Sequence, residues 1–234
     1  MQYINKEKIE KIKFTKSNFY VAIDFDRTIT TGESCDSWDA SGYILGDGFK
    51  KEAEALFQKY RPIELDYSIS FEEKNKAMEE WYYGCLDLYY KNHLTKEMLI
   101  KSIDDSNLIF RLGVKEFLAE MHENNIPVII LSAGIGNVIE RFLKTEKCYY
   151  DNIYIISNFL QFDENGNIKP YDGKLIQTLN KTMKGHINNE YSQKLKEKQY
   201  RLLLGDLIED KNMVPRDEWD RTLSVRIYSK RKRG

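Results

Sequence analysis

The sequence is poor in cysteine, in proline and in net charge, and it has no long apolar run. Its three cysteines, Cys35, Cys85 and Cys148, are odd in number and widely spaced, which argues against a disulfide framework or a zinc site. No apolar stretch approaches the roughly 20 residues of a membrane-spanning helix, and the polar N-terminus predicts no secretory signal. The net charge of −1 does not suit a protein that coats nucleic acid. We therefore expect a cytoplasmic protein, a monomer or weak homodimer, that binds neither membranes nor nucleic acid polymers.

The residues that are present predict an α/β fold. The 234 residues are enough for one sizeable domain, or for a core with a smaller insert. Short apolar runs predict strands at 20–23, 128–131, 153–156, 201–204 and 223–228. Between the first strand and the start of the next α/β unit lie roughly 80 residues with the apolar spacing of helices, near 50–60, 70–90 and 94–103, and a further helix is predicted at 114–124. Helices are also predicted at 4–12, 138–143 and 188–198.

Several local signals refine this prediction. We expect Pro62 to end the helix that begins near Lys50. Ser70 and Glu73 have the spacing of a capping box at the start of the next helix. The turn residues at 163–166 lie between apolar residues and predict a β-hairpin. The stretch 30–48 contains glycine and is polar, with Trp38, Tyr43 and Ile44 as its apolar residues.

Two carboxylates, Asp24 and Asp26, directly follow the first predicted strand. Residues two apart on a strand face the same side, so both would point in one direction if the strand geometry continued that far. Ligands of open α/β sheets bind at the carboxyl ends of the strands. Two like charges held there need a cation, a shared proton or hydrogen bonds to offset their repulsion. The alternative is an ordinary solvated loop, and the pair alone does not decide between the two.

Other predicted strands also end in polar residues. Ser132 follows the strand at 128–131, and Asp206 follows the strand at 201–204, with Asp210 four residues later. Lys181 lies between these two strands in the sequence. The order Asp-x-Asp-x-Thr, Ser, Lys and Gly-Asp-x-x-x-Asp resembles the haloacid dehalogenase superfamily of phosphohydrolases. Each piece is weak alone, whereas four pieces in that order form a specific pattern.

Within that superfamily the chain is similar to the cytosolic pyrimidine 5′-nucleotidases, from the first strand to Asp210. The matching segments are residues 60–66, 72–74, 78–82, 132–136, 157–159, 162–166, 173–176 and 180–181. The resemblance implies a Rossmann-like haloacid dehalogenase core at 1–32 and 112–234, with a parallel sheet, flanking helices and one β-hairpin. It also implies a mostly helical cap at 33–111, inserted after the first strand.

The resemblance implies that Asp24 is a nucleophile that forms an aspartyl-phosphate. Asp26 would protonate the leaving oxygen and later activate water, which requires a raised pKa; we expect Asp24 and partial burial to raise it. Asp24, the backbone carbonyl of Asp26 and Asp206 would bind Mg²⁺, the cation that this oxygen-rich ligand set suits best. Asp210 would orient Asp206 or a bound water. The alternative for Asp210 is a carboxylate that only stabilises the first turn of a helix.

The resemblance assigns phosphate binding to residues Ser132, Ala133, Gly134, Lys181 and Thr28. We favour Lys181 over Lys184 because it matches the family pattern, since spacing alone does not choose between them. Ser132 would donate its hydroxyl to a phosphate oxygen, with support from the backbone N–H groups that follow. Thr28 would donate hydrogen bonds within its loop.

In the cap, Glu64 matches a carboxylate that faces the active site in the family, which implies recognition of the base or ribose. Trp81 and Tyr82 are candidates to stack on a base. The alternative for both is packing inside an amphipathic helix, and we expect it to hold for at least one of them. The stretch 34–48 departs from the family pattern, so the base preference does not transfer.

Together these residues predict a Mg²⁺-dependent 5′-nucleotidase that hydrolyses pyrimidine nucleoside monophosphates, with possible transfer of the phosphoryl group to a nucleoside. The rivals are a phosphatase of another small metabolite and a catalytically silent binding protein. The family continues after Asp210 with a strand and a helix, so we expect a shortened C-terminus here. It could be natural, a truncation or a shifted reading frame. The basic cluster at 230–233 is expected to be a solvated chain end.

Overall fold

A five-stranded parallel sheet lies at the centre of the molecule. The computed structural model describes residues 6–183 and 189–228. The strands are β1 Phe19–Ile23, β2 Val128–Ile135, β3 Ile153–Asn158, β4 Tyr200–Gly205 and β5 Thr222–Arg226. They lie in the spatial order β3-β2-β1-β4-β5, and every neighbouring pair is parallel. All five carboxyl ends therefore meet at one edge of the sheet.

Helices cover both faces of this sheet. They are α1 Lys6–Lys11, α2 Ser37–Gly42, α3 Gly46–Leu65, α4 Phe71–Lys91, α5 Lys96–Asp105, α6 Val114–Glu123, α7 Gly136–Thr145 and α8 Asn189–Lys196. Residues of α6 and α7 pack on one face, and Leu195 of α8 packs with Met213 on the other. Every residue of β1 is buried, as expected for a central parallel strand that is covered on both sides. The α/β fold class predicted from the sequence is confirmed.

Helices α2 to α5 pack against the carboxyl end of β2. One apolar cluster joins Phe49 of α3 and Tyr89 of α4 to Ile135 and Val138. The chain enters and leaves this helical segment side by side, because Thr30 and residue 110 form an antiparallel bridge. The helical segment thus lies next to the edge where ligands bind in such sheets. The division into a core at 1–32 and 112–234 and a cap at 33–111 stays a prediction.

One prediction for this segment was wrong, and one helix lies in a stretch for which no element was predicted. The stretch 30–48 contains α2, which is capped by Asp36 through a 2.9 Å hydrogen bond from the N–H of Asp39. Helix α3 does not end before Pro62 but continues to Leu65. Proline has a helical φ and removes a single backbone hydrogen bond. Near a helix end that loss is tolerated, because α3 is held by packing against α4.

Other local predictions are confirmed. Ser70 and Glu73 form the predicted capping box of α4. The predicted hairpin is a tight turn in which Asp163 accepts two backbone hydrogen bonds, next to one antiparallel bridge between Phe162 and Ile168. Among residues 6–183 and 189–228, no helix is both long and apolar enough to cross a membrane.

Some predictions fall on parts of the chain outside the described residues. These are the start of the helix predicted at 4–12, the first residue of the helix predicted at 188–198, Lys184, and the basic chain end at 230–233. The remainder of both predicted helices corresponds to α1 and α8.

Candidate active site

The predicted site residues converge at the carboxyl edge of the sheet. Asp24 directly follows β1, and its N–H donates to the carbonyl of Leu204 on β4. Ser132 lies within β2, where its pairing with β3 becomes irregular, and Asp206 directly follows β4. Parallel pairing of these three strands brings residues more than 180 positions apart to one place.

A buried lysine joins two of the carboxylates. The ammonium group of Lys181 donates to Asp24 Oδ1 and, at 2.9 Å, to Asp210 Oδ1. All three side chains are at most 8% exposed. Burial raises the pKa of Asp24 to about 7, the charge of Lys181 lowers it, and the charge of Asp210 raises it.

Three carboxylates lie close enough to hold one metal ion. Asp24, Asp206 and Asp210 each offer an oxygen within 4.8 Å of the others. Oxygen-only donors suit Mg²⁺, which prefers carboxylates and water. Asp210 Oδ2 also accepts the N–H of Leu207 at 2.9 Å, and a side chain at Gly205 would overlap this carboxylate. Asp210 therefore does more than stabilise a helix turn, because it contacts Lys181 and is one of the three carboxylates that could hold a metal ion.

Asp26 is held by one residue that sequence reasoning missed. The backbone N–H of Ser37 donates to Asp26 Oδ1 at 2.9 Å, and the Ser37 hydroxyl donates to Oδ2 at 2.7 Å. Burial raises the pKa of Asp26 to about 8, the charge of Asp36 and, to a smaller extent, that of Asp24 add to the rise, and the two hydrogen bonds from Ser37 oppose it. The pKa of Asp26 is raised, as expected. The charge of Asp36 contributes more to this rise than the charge of Asp24 does.

Three of the five predicted phosphate-binding residues, Ser132 to Gly134, form a turn within the irregular carboxyl end of β2. Ser132 is 1% exposed, and its Oγ accepts the N–H of Gly134 at 3.0 Å. The carbonyl of Ala133 accepts a hydrogen bond from Asn158, which fixes the turn. A side chain at residue 134 would overlap the Ser37 hydroxyl, so only glycine fits. Donors at this turn are suited to the oxygens of a phosphate.

The loop between Asp24 and Thr30 is built to hold a strained shape. Arg27 has a left-handed backbone, with φ 66° and ψ 5°. Arg111, which the sequence did not single out, donates to the carbonyls of Arg27, Thr28 and Thr30. The hydroxyl of Thr28 is buried and has no hydrogen-bond partner among the described residues, so it is available to donate to a bound group.

The predicted substrate residues lie together in the helical segment. Glu64 forms an ion pair with Arg61. Trp81 stacks on Tyr60, with ring centroids 6.2 Å apart. Tyr82 is 9% exposed and belongs to the apolar cluster described above. Packing in this cluster is enough to account for Tyr82 without a role in base stacking. This is the alternative that we expected to hold for Trp81, Tyr82 or both.

Electrostatics link this part of the helical segment to Asp26. Burial is the main cause that raises the pKa of Tyr82, and the charges of Glu64, Asp36 and Asp26 add to it. Asp36 could have been found from the sequence, because Asp36 and Asp39 have the spacing of a helix N-cap. Ser37 and Arg111 carry no sequence signal, since their roles depend on contacts across the fold.

Known proteins resemble this chain in sequence along most of its length. The sequence profile of the family described as pyrimidine 5′-nucleotidase (UMPH-1) matches residues 7–224. A protein of Mus musculus named 7-methylguanosine phosphate-specific 5′-nucleotidase is 34% identical over 201 residues, which cover 83% of this chain and 67% of that protein.

Solved structures share the fold. The crystal structure of cytosolic 5′-nucleotidase IIIB bound to cytidine superposes with a TM-score of 0.75 and 26% identity, covering 90% of this chain and 74% of that one. A substrate-bound phosphoserine phosphatase gives a TM-score of 0.57 at 19% identity, over 86% of this chain and 82% of that one. The latter identity is low enough that the likeness concerns the fold alone.

Proposed function

The chain belongs to the pyrimidine 5′-nucleotidase (UMPH-1) family, and from that premise we propose that it is a Mg²⁺-dependent phosphatase of nucleoside 5′-monophosphates. The observation that carries this proposal is the cluster of Asp24, Asp206 and Asp210 beside the buried Lys181. Carboxylates and an ammonium group in one place supply a nucleophile, a candidate cation site and a partner for phosphate.

In the proposed first step, a carboxylate oxygen of Asp24 attacks the phosphorus. The bond between phosphorus and the ribose oxygen breaks, and Asp26 gives its proton to that oxygen. In the second step, Asp26 takes a proton from water as the water oxygen attacks the aspartyl-phosphate, which releases phosphate and restores Asp24.

The other residues support this chemistry. The ammonium group of Lys181 would interact with the phosphate and hold the Asp24 carboxylate in place. Ser132, the N–H group of Ala133 and the hydroxyl of Thr28 would donate to phosphate oxygens, and the N–H of Gly134 would hold Ser132 by donating to its Oγ. Mg²⁺, when bound by the carboxylates, would neutralise negative charge on the phosphate. Together these groups would hold the phosphate in place and stabilise its negative charge, which is how phosphoryl transfer is accelerated.

Pyrimidine nucleotides are the first substrates that we propose, in line with the family's description. A 7-methylguanosine phosphate is the second candidate, because the mouse relative is named for that substrate. The methylated base carries a positive charge, and the charges of Glu64 and Asp36 act on Tyr82 in the helical segment. Carboxylates in this segment would favour a cationic base over a neutral one.

Release of phosphate from a panel of monophosphates tests this proposal. The panel contains UMP, CMP, 7-methylguanosine monophosphate, a sugar phosphate and phosphoserine, each with Mg²⁺ and then with EDTA. Mg²⁺-dependent release from the nucleotides supports the proposal, and the ratio between bases decides the preference. Release from the sugar phosphate or phosphoserine alone would instead identify a phosphatase of another metabolite.

Two further alternatives have their own measurements. An added nucleoside that becomes phosphorylated would identify phosphotransfer in addition to hydrolysis. A folded chain that binds nucleotide but releases no phosphate would be a silent binding protein. We also propose a cytoplasmic location, consistent with three free cysteines, and a monomer or weak homodimer, which gel filtration tests.

A further inference from the structure

Ser37 makes an unusually complete contact with Asp26. Its backbone N–H reaches one carboxylate oxygen at 2.9 Å, and its hydroxyl reaches the other at 2.7 Å. Ser37 itself is fully buried, at 0% exposure. One residue therefore occupies both oxygens of the Asp26 carboxylate and restricts its rotation about the side-chain bonds.

The surroundings of Ser37 determine the direction of its hydroxyl hydrogen. The N–H of Ile135 donates to Ser37 Oγ at 3.3 Å, so an oxygen lone pair is already engaged. The hydroxyl hydrogen is then free to point at Asp26 Oδ2. The absence of a side chain at Gly134 makes this approach possible, because any Cβ there would overlap Ser37 Oγ.

We propose that Ser37 is the positioning residue of Asp26, holding its carboxyl group in the orientation that delivers a proton to the leaving oxygen. The proposal rests on the proposed function, in which Asp26 is the proton donor. Proton transfer requires the donor within hydrogen-bond reach of the leaving atom, so a freely rotating carboxyl group would transfer its proton less often. Because Ser37 is the first residue of α2, the helical segment and the acid are physically connected.

The test compares substrates that need the proton to different degrees. A ribose 5′-oxygen is a poor leaving group and requires protonation, whereas p-nitrophenolate leaves without it. The ratio of kcat/KM for UMP to kcat/KM for p-nitrophenyl phosphate therefore measures how well Asp26 donates. The value of kcat/KM depends only on the steps up to the departure of the leaving group. The later reaction, in which Asp26 activates water, therefore does not affect the ratio.

The variant is Ser37→Ala, which removes the hydroxyl and keeps the backbone N–H. The matched control is Ser41→Ala on the same helix, because Ser41 is also fully buried and its hydroxyl contacts Tyr89 and the carbonyl of Trp38 instead. Ser37→Cys has nearly the same shape with a weak donor, and it serves if the alanine variant fails to fold.

We expect Ser37→Ala to lower the ratio at least about 10-fold, a part of the roughly 100- to 10,000-fold effect of general acids. Ser41→Ala should leave the ratio unchanged, even where it lowers Tm. An unchanged ratio in a folded, active Ser37→Ala protein, or an equal drop in Ser41→Ala, overturns the proposal. A wild-type chain that hydrolyses neither ester overturns the proposed function instead, and the proposal with it. If the wild type prefers another alkyl phosphate, that ester replaces UMP in the ratio.

Discussion

Lys181 and Asp24 are 157 positions apart in the chain and form a buried ion pair. Asp210 accepts a second hydrogen bond from the same ammonium group. Although burial opposes it, the charges of Asp24 and Asp210 raise the pKa of Lys181, which therefore stays charged at neutral pH. Three charges that would each be costly alone are stable together, because each has a partner.

Replacing Lys181 by methionine should lower both activity and stability. The loss of the ammonium group leaves Asp24 and Asp210 buried without a cation, which costs about 3–5 kcal/mol of unfolding free energy at neutral pH. The pKa of Asp24, which burial already raises to about 7, then rises further because the charge of Lys181 no longer lowers it, so the loss of stability should shrink as pH falls and this carboxyl group becomes protonated. Turnover should fall at least about 100-fold.

Thermal unfolding of Lys181→Met at pH 5 and pH 8, in EDTA, measures this effect. Lys174→Met is the control, because Lys174 is exposed and close in sequence. A Tm deficit of equal size at both pH values would contradict the assignment of Lys181 to this ion pair.

Asp24→Asn should abolish turnover, with a residual rate below about one thousandth, because an amide cannot form the covalent intermediate. The Tm should stay near that of the wild type, since the amide has the same shape and Lys181 keeps Asp210 as a partner. An acid quench with labelled substrate should leave phosphate on the wild type and none on the variant. The control is Asp87→Asn, on an exposed face, which should keep full activity. Labelled phosphate retained on Asp24→Asn would exclude Asp24 as the nucleophile.

The pH dependence of the first step should reveal Asp26. With a pKa of about 8, raised mainly by burial, its carboxyl group is protonated at pH 7 and can donate. The kcat/KM for UMP should therefore fall as pH rises above about 8, whereas p-nitrophenyl phosphate should show little decline there. The same alkaline decline for both esters would argue against Asp26 as the acid.

The same pKa has a consequence for stability. A carboxyl pKa raised from 3.8 to about 8 on folding favours the folded state fully below pH 3.8, and this contribution is lost as pH rises to about 8. The uncharged Asp26→Asn protein should therefore gain in Tm relative to the wild type between pH 5 and pH 9. A constant Tm difference across that range would contradict a raised pKa of Asp26.

Glu64→Gln should change which nucleotide is preferred without a general loss of activity. The charge of Glu64 acts on Tyr82 in the helical segment, and a hydrogen bond to a charged group contributes roughly 1.5–3 kcal/mol. We expect about a 10-fold or greater loss of kcat/KM on the preferred nucleotide and no change with p-nitrophenyl phosphate. The control is Glu72→Gln, at an exposed position of α4. Equal losses of kcat/KM on every substrate in Glu64→Gln would exclude a recognition role for Glu64.

Local sequence patterns predicted the framework of the site. The apolar runs predicted all five strands, and the carboxylates that follow β1 and β4 were recognised because they come directly after those runs. Resemblance to a family, rather than spacing, selected Lys181 among the many lysines of the chain. In the structure, Lys181 contacts both Asp24 and Asp210.

Other features could not be read from local patterns. Pro62 is a helix breaker by its chemistry, yet α3 continues through it, because packing outweighs one missing hydrogen bond. Arg111 looks like any surface arginine in the sequence, and only the antiparallel crossing near Thr30 brings it to the carbonyls of the Asp24–Thr30 loop.

The sequence by itself determined the elements, the fold class and the chemical types of the reacting groups, because these depend on hydrophobic spacing and on residues adjacent in the chain. Only the tertiary structure decided that Ser37 holds Asp26 and that Asp36, more than Asp24, raises its pKa. Hydrogen bonds and charge effects depend on distances of a few ångströms between groups. Those distances are set by how α2 packs against the sheet, and no spacing along the chain specifies them.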